Sequence, residues 1–154
     1  MSMSNILVVD DTALARESVS KLLEYEGFRT LRAKNGREAW AMLYHDKPDL
    51  VLLDLMMPEM DGVTFLTMLR RSVLWKDLPV VVLTSADDRD QLITRAWELG
   101  VSDLVPKATF GFEDLLARVK QHLPAAEMAG NSRRLSSPRR VSSGAGRLRG
   151  LMPR

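Results

Sequence analysis

Five short apolar runs, spaced too widely for tight hairpins, constrain the fold of this 154-residue chain more than any other feature of its sequence. The runs are Asn5–Val9, Phe28–Ala33, Leu50–Leu53, Val80–Leu83 and Ser102–Val105. Roughly 20 to 30 residues separate the start of one run from the next, which suits crossover helices between parallel strands. The three central runs are apolar almost throughout, as expected of strands covered on both faces. The spacing predicts an α/β fold with a five-stranded, parallel, doubly wound sheet.

The segments between the runs have the periodicity of amphipathic helices. In the first segment, apolar residues recur at helical spacing and form one stripe: Ala15, Val19, Leu22 and Leu23. Gly27 follows at a position where a helix end favours a left-handed residue. Further helices are predicted from Asn35-Gly36 to before Pro48, and over Val63–Arg71, Asp87–Leu99 and Phe112–Leu123. Five helices should therefore flank the sheet.

Charge divides the chain into two segments. Of 22 basic and 20 acidic residues, residues 125–154 hold seven arginines and one acid, Glu127, which leaves 15 basic and 19 acidic residues in 1–124. The last 30 residues are also rich in serine and glycine, and such a composition cannot offset its ordering entropy by burying apolar surface. We expect one folded domain over residues 4–124 and a basic, disordered tail over residues 125–154.

Composition excludes several classes of protein and site. The chain has no cysteine, which excludes disulfides and thiolate ligands, and its two histidines, His45 and His122, are too few for a histidine cage. No apolar run is long enough to span a bilayer, and the N-terminus does not resemble a signal peptide. The sequence also lacks a P-loop. We expect a soluble, cytoplasmic protein without membrane insertion.

Polar residues follow the ends of four of the runs. They are Asp10-Asp11, Asp54, Thr84-Ser85 and Lys107. The carboxyl ends of parallel strands share one edge of a sheet, where ligands bind in α/β folds. Three carboxylates, a hydroxyl and an ammonium are therefore predicted to meet in one pocket.

The chemistry of such a pocket points to phosphoryl transfer. Three close carboxylates repel each other, which raises some of their pKa values unless a cation binds between them. Oxygen ligands without histidine or thiolate suit a hard cation, of which Mg²⁺ fits best. A carboxylate beside a cation, a hydroxyl and a lysine suits in-line phosphoryl transfer. Asp54, on the central strand, is the predicted attacking group.

Each of these residues also has a purely structural interpretation. Asp10 or Asp11 could serve only as the N-cap of a helix that starts near Thr12. Thr84-Ser85 could cap the following helix, and Lys107 could be a solvated lysine at a strand end. The coincidence of four such strand ends favours the functional interpretation.

The same residues resemble a known family. Over roughly Ile6–Leu123 the chain is similar to the receiver domain of bacterial two-component response regulators, most closely to stand-alone receivers of the chemotaxis type. The matching segments are Ile6–Asp11, Ala33–Ala39, Pro48–Asp54, Met57–Gly62, Val82–Ala86 and Lys107. The segment Met57–Gly62 is the most specific of them.

The resemblance implies the sheet order 2-1-3-4-5 and a phosphoacceptor switch rather than an enzyme. Asp54 would accept a phosphoryl group from a sensor histidine kinase or a histidine phosphotransfer protein. Mg²⁺ would be held by Asp10, Asp11, Asp54 and the backbone carbonyl of Met56. At most, such a protein phosphorylates itself from small phosphodonors and dephosphorylates itself.

The resemblance also assigns three residues to the phosphoryl group. Thr84 would donate its hydroxyl to a phosphoryl oxygen, and Lys107 would pair with the phosphoryl charge. Ser85 matches the small residue that leaves room for the group.

The sequence departs from the family at two positions. Receivers commonly carry an aromatic residue three positions before the lysine, where this chain has Leu104, and a proline after the lysine, where it has Ala108. Pro106 precedes the lysine instead, which an edge strand tolerates. We expect the chemistry at Asp54 to survive both changes and the usual aromatic switch to be lost.

The output surface implied by the resemblance is the face of the fourth helix, fifth strand and fifth helix. A downstream protein target would dock there, near Leu104. Trp97, on the fourth helix, is a candidate exposed contact because tryptophans are enriched at binding hot spots. The alternative is that Trp97 packs at the edge of the domain with Ile93.

Two other functions stay open at this stage. A receiver-like scaffold that is never phosphorylated is one, and a metal-dependent aspartyl phosphatase of the haloacid-dehalogenase type is the other. The phosphatase loop reads Asp-x-Asp, whereas Asp54-Leu55-Met56 lacks the second acid. This difference disfavours the phosphatase.

Three interpretations of the tail also stay open. Arg133–Ser136 and Arg139–Ser142 both read Arg-Arg-x-Ser and resemble substrates of basophilic serine kinases, with Ser136 and Ser142 as acceptors. The arginines could instead bind nucleic acid or another anionic surface, although no aromatic residue is present to stack on bases. The third interpretation is a solvated extension without a function.

Overall fold

A computed structural model describes residues 4–57, 60–85, 90–107 and 111–124 of the chain. The strands in these residues are β1 (Asn5–Val9), β2 (Arg29–Ala33), β3 (Leu50–Asp54), β4 (Val80–Thr84) and β5 (Asp103–Pro106). The helices are α1 (Ala13–Tyr25), α2 (Gly36–His45), α3 (Gly62–Arg71), α4 (Asp90–Glu98) and α5 (Phe112–His122). The predicted alternation of strands and helices is confirmed. Residues 87–89, at the predicted start of the fourth helix, and the predicted tail with Ser136 and Ser142 lie outside the described residues.

The strands form one sheet in the order β2-β1-β3-β4-β5, and each neighbouring pair is parallel. This confirms the expected doubly wound α/β fold and its strand order. β3 and β4 each extend one residue beyond the predicted run and thereby include Asp54 and Thr84. β5 lies at the edge, where Pro106 costs the sheet no central hydrogen bond.

The two faces of the sheet bury two separate cores because side chains alternate along each strand. On one face, Leu7, Val51 and Val82 pack with residues of α2, α3 and α4 such as Phe65. On the other, Leu52, Val81 and their neighbours pack with residues of α1 and α5, including Leu23 and Leu115. Coverage on both faces explains why the central runs are continuously apolar.

Glycines end two of the helices, and the sequence predicts the first of them, Gly27. Gly27 after α1 and Gly100 after α4 both have positive φ, 99° and 74°, which residues with a Cβ rarely adopt. The expected apolar stripe of α1 needs a correction, because Leu22 is 41% exposed. Ser20 and Leu23 occupy the buried side of the helix instead. A helix that packs beside the edge of the sheet buries a narrower stripe than the sequence pattern offers.

No helix within the described ranges combines the length and the apolar character needed to cross a lipid bilayer.

The start of α3 packs closely against the end of β3 at Gly62. The amide of Gly62 donates to the carbonyl of Leu55 at 3.0 Å. A Cβ added at Gly62 would lie 2.5 Å from the carbonyl oxygen of Asp54 and 2.7 Å from the Cα of Leu55. Only glycine therefore allows the first turn of α3 to pack against the backbone that carries Asp54.

We expect Gly62→Ala to destabilise the fold by about 1–3 kcal/mol, since the added methyl group overlaps backbone that has no room to move. Gly111→Ala is the matched control because a Cβ there meets no atom of the described residues within 4 Å. Urea unfolding followed by circular dichroism measures both variants. Equal stability of the two would show that the close contact at Gly62 does not constrain the segment.

Candidate functional site

The carboxyl ends of β1 and β3 bring three carboxylates together. Asp10 follows β1, Asp54 ends β3, and these two strands are neighbours in the sheet. Asp10, Asp11 and Asp54 each offer an oxygen, and these oxygens lie within 4.8 Å of one another. The predicted convergence of the three aspartates is confirmed by this geometry.

The carboxylate of Asp10 is buried and held on both sides. Its Oδ1 accepts a hydrogen bond from the amide of Thr12 at 2.9 Å, and its Oδ2 lies 3.0 Å from Nζ of Lys107. Thr12 occupies the N-cap of α1 itself. The interpretation of Asp10 or Asp11 as a mere N-cap is therefore wrong.

Lys107 joins two of the aspartates across the sheet. Its Nζ lies 3.0 Å from Oδ2 of Asp10 and 3.4 Å from Oδ2 of Asp54. Its backbone amide donates to the carbonyl of Thr84 at 2.6 Å, which extends the β4–β5 pairing by one bond. Burial lowers the pKa of the Lys107 ammonium, but the hydrogen bond that it donates to Asp10 and the charges of both carboxylates outweigh burial and raise it overall. Lys107 is thus not a solvated strand-end lysine.

Asp54 is the most perturbed of the three carboxyl groups. Burial, with 3% of the residue exposed, raises its pKa from 3.8 to about 7. The charge of Asp10 adds to the rise, whereas Lys107 and the amide of Met56, which donates to Oδ1 at 3.2 Å, oppose it. The sequence prediction that repulsion raises a pKa here is confirmed in direction, although desolvation is the larger cause.

The remaining predicted site residues lie at the same edge. Thr84 is the last residue of β4, opposite Pro106, and both Thr84 and Ser85 are half-buried. Met56 follows Asp54 in the loop, with its side chain exposed. The helix-cap interpretation of Thr84-Ser85 depends on residues 86–89, which are outside the described part of the chain.

The two predicted output residues differ in exposure. Trp97 on α4 is 51% exposed, which favours its interpretation as a surface contact over packing with Ile93. Ile93 and Leu104 are partly buried against the core. The position of the usual aromatic residue is therefore filled by an aliphatic side chain that packs inward.

Sequence analysis missed Arg16 as a site residue. From the first turn of α1, its Nη1 donates to the backbone carbonyl of Asp10 at 2.8 Å. This contact fixes the peptide unit between Asp10 and Asp11. A basic residue near a helix N-terminus is electrostatically unfavourable, and this anomaly was the signal that could have identified it.

The site fits a hard divalent cation. Its oxygen-only donors converge without histidine or cysteine, and Lys107 supplies a single positive charge against three carboxylates. Carboxylate oxygens at such separations are the ligands that Mg²⁺ takes in proteins. Burial is the main cause of the raised pKa of Asp54, and the charge of Asp10 adds to it.

Comparison with known proteins identifies the family. Residues 6–120 match the response regulator receiver domain. The chain belongs to the response regulator receiver family. Members of this family act as phosphoacceptor switches in two-component signalling, bind Mg²⁺ at an acidic pocket, and interact with histidine kinases and downstream targets.

Several curated relatives share the receiver region. Response regulator MprA of Mycolicibacterium vanbaalenii is 40% identical over 115 residues, which cover 75% of this chain and 48% of MprA. The phosphate regulon transcriptional regulatory protein PhoB of Pseudomonas aeruginosa is 38% identical over 115 residues, covering 75% of this chain and 49% of PhoB. The chain therefore spans about half the length of the curated relatives it matches.

Solved structures show the same fold. The chemotaxis protein CheY4 of Vibrio cholerae superposes with a TM-score of 0.72 at 28% identity, covering 79% of this chain and all of CheY4. The receiver domain of a signal transduction histidine kinase from Syntrophus aciditrophicus gives a TM-score of 0.70 at 30% identity, covering 88% and 97% of the two chains.

We expect Asp54→Asn to stabilise the protein when no metal is bound. Because the folded-state pKa is raised above the unfolded value, ionisation opposes folding once the pH exceeds about 4, and the cost levels off above about 7. At pH 8 the gain should be on the order of a few kcal/mol, since one pKa unit corresponds to about 1.4 kcal/mol. Urea unfolding of the wild type and Asp54→Asn at pH 4 to 8, in the presence of a chelator, measures this gain in the free energy of unfolding.

The control is Asp11→Asn, which neutralises an exposed member of the same cluster. It should change stability much less than Asp54→Asn. A gain from Asp54→Asn that does not grow with pH would contradict the raised pKa.

Proposed function

We propose that residues 4–124 act as a receiver in which Asp54 accepts a phosphoryl group from a phosphohistidine of a sensor kinase or a histidine phosphotransfer protein. The observation that supports this most is the position of Lys107, whose Nζ lies within 3.4 Å of both Asp10 and Asp54. An ammonium at this position can pair first with the carboxylate of Asp54 and then with the phosphoryl group that forms on Asp54.

In the proposed transfer, one bond to phosphorus forms while another breaks. An Oδ of Asp54 forms a bond to phosphorus while the P–N bond to the donor imidazole breaks, and the imidazole recovers a proton from water. With acetyl phosphate as donor, the P–O bond to acetate breaks instead. Because the transition state spreads charge over the phosphoryl oxygens, the protein contributes mainly position and charge compensation.

Each residue of the site has a role in this proposal. Asp10, Asp11, Asp54 and the backbone carbonyl of Met56 would hold Mg²⁺, which would offset the negative charge of the carboxylates and of the transferred phosphoryl group. The hydroxyl of Thr84 would donate to one phosphoryl oxygen and Ser85 would leave space for the group. Their place at the end of β4, beside β3, supports these two roles.

Phosphorylation would alter binding of a downstream protein on the face formed by α4, β5 and α5. Leu104 and Lys107 belong to β5 and its end, so the output face and the site share one strand. Trp97 presents an exposed indole on α4 that a partner would bury. Because Leu104 is aliphatic, we propose that the response passes through β5 rather than through a rotating aromatic ring.

Phosphorylation at Asp54 has a direct test. Incubated with Mg²⁺ and acetyl phosphate, the protein should gain one phosphoryl group that is labile to base and hydroxylamine. Intact-mass measurement should show no gain for Asp54→Ala and full gain for Asp46→Ala, which removes an exposed aspartate at the C-terminal end of α2. Equal labelling of the wild type and Asp54→Ala would remove Asp54 from its role.

Lys107→Ala should preserve Mg²⁺ binding but reduce the conformational response to a phosphoryl group. Because the change removes a positive charge beside Asp10 and Asp54, Mg²⁺ should bind with equal or higher affinity in calorimetric titration. Beryllofluoride, a mimic of the phosphoryl group, should then cause far smaller amide chemical-shift changes in α4 and β5 than in the wild type. Shift changes as large as those of the wild type would refute the assigned role of Lys107.

A further inference from the structure

The three carboxylates of the acidic site are not held equally. Nζ of Lys107 contacts the carboxylates of Asp10 and Asp54. The third aspartate, Asp11, is exposed, and within the described ranges no hydrogen bond or ion pair holds its carboxylate. The position of the Asp11 oxygens therefore depends on the backbone from which the side chain extends.

The backbone that leads into Asp11 is fixed by Arg16. Nη1 of Arg16 donates to the carbonyl oxygen of Asp10 at 2.8 Å, and the amide of Asp10 donates to the carbonyl of Ala33 at 3.1 Å. Because a peptide unit is planar, the direction of the Asp10 carbonyl also sets where the Cα of Asp11 lies. Arg16 thus acts on Asp11 through the peptide unit and not through its carboxylate.

The location of Arg16 is not explained by a charge partner. The residue is half-buried in the first turn of α1, where the aligned peptide dipoles disfavour a positive charge. Among the residues that the structure describes, no carboxylate forms an ion pair with Arg16, and the polar partner of its guanidinium is the carbonyl of Asp10. The hydrogen bond to this carbonyl is therefore the contact through which Arg16 can affect the site.

We propose that Arg16 is a positioning residue for the metal site, because its hydrogen bond to Asp10 holds the carboxylate of Asp11 in place for Mg²⁺. This inference rests on the proposed function, in which the three aspartates bind the ion. Hydrogen-bond partners that orient metal ligands commonly change metal affinity by about 10- to 100-fold. Arg16 contacts the backbone of a ligand residue and would not contact the phosphoryl group.

The charge of Arg16 and its hydrogen bond have opposite effects on Mg²⁺ binding. A guanidinium near three carboxylates repels a second cation, so loss of the charge alone would tighten Mg²⁺ binding, as we expect for Lys107→Ala. Loss of the hydrogen bond frees the peptide unit before Asp11, so that Mg²⁺ must order a third carboxylate as it binds, which weakens binding. The sign of the change in affinity separates positioning from electrostatics.

Calorimetric titration of the full chain with Mg²⁺ measures this sign. Arg16→Met keeps an unbranched apolar side chain but has no donor, and it should weaken Mg²⁺ binding about ten-fold. Arg16→Lys should stay within roughly three-fold of the wild type, because the contact uses one N–H, which an ammonium also supplies. Lys21→Met is the matched control, since it removes an exposed positive charge from the same helix, and it should bind Mg²⁺ like the wild type.

The outcomes distinguish this inference from the proposed function. An Arg16→Met variant that binds Mg²⁺ as tightly as the wild type, or more tightly, would overturn the inference and leave the proposed function intact. A wild type that binds no Mg²⁺ would overturn both.

The amide of Asp11 gives a second readout that needs neither metal nor phosphorylation. It belongs to the peptide unit whose carbonyl accepts from Arg16. In the metal-free protein, its heteronuclear NOE should fall in Arg16→Met and stay at the wild-type value in Arg16→Lys and Lys21→Met. An unchanged NOE in Arg16→Met would show that the hydrogen bond does not order this peptide unit and would overturn the inference.

Labelling with acetyl phosphate separates positioning of the metal ligands from a role in the transfer step. The Mg²⁺ concentration that gives half of the maximal rate should rise about ten-fold in Arg16→Met, and excess Mg²⁺ should restore the rate. A lower maximal rate with an unchanged half-saturating Mg²⁺ concentration would assign Arg16 to the transfer step and overturn its positioning role.

Discussion

The interaction on which the site depends is the pairing of one ammonium with two buried carboxylates. Nζ of Lys107 lies 3.0 Å from Asp10 and 3.4 Å from Asp54, and both carboxylates are almost fully buried. Burying charge is costly unless it is paired, and here one positive charge serves two negative ones, with Asp11 close by. Burial of the Asp54 carboxyl group, together with the charge of Asp10, raises its pKa to about 7. A cation bound among the three carboxylates would offset part of this excess negative charge.

Hydrogen bonds to backbone atoms and close backbone packing hold this unfavourable cluster in place. Arg16 donates to the carbonyl of Asp10, and the amide of Asp10 donates to the carbonyl of Ala33. Gly62 lets the start of α3 approach the carbonyl of Asp54 more closely than any side chain would permit. Burial of apolar side chains in the cores on both faces of the sheet offsets the free energy that burying these charges costs. Stability lost at a functional site and recovered elsewhere is common in proteins.

The two edges of the sheet have different chemistry. The carboxyl edge carries the aspartates, Lys107 and Thr84, and it suits a small phosphorylated ligand or a phosphohistidine. The amino edge carries the hydrogen bonds that Arg70 donates to the carbonyls of Leu78, Leu99 and Gly100. Arg70 fixes the link that follows α4 by donating to the carbonyls of Leu99 and Gly100. Because Leu104 replaces the usual aromatic residue, α4 and β5 together form the route that we propose to an output surface.

The sequence by itself determined the order of the strands and helices, because widely spaced, continuous apolar runs fit buried parallel strands joined by helices. It also determined the set of polar residues at the strand ends, such as Asp54 and Thr84. Repulsion between the aspartates also followed from the sequence, since parallel strands share one carboxyl edge. Only the tertiary structure decided which oxygens Lys107 contacts, that desolvation exceeds repulsion at Asp54, and that Leu22 is exposed while Ser20 is buried. It alone showed that Arg16 donates to the carbonyl of Asp10 and that Gly62 packs against the backbone of Asp54 and Leu55. Distances, burial and backbone contacts depend on how segments far apart in the chain pack together, and local periodicity does not encode them.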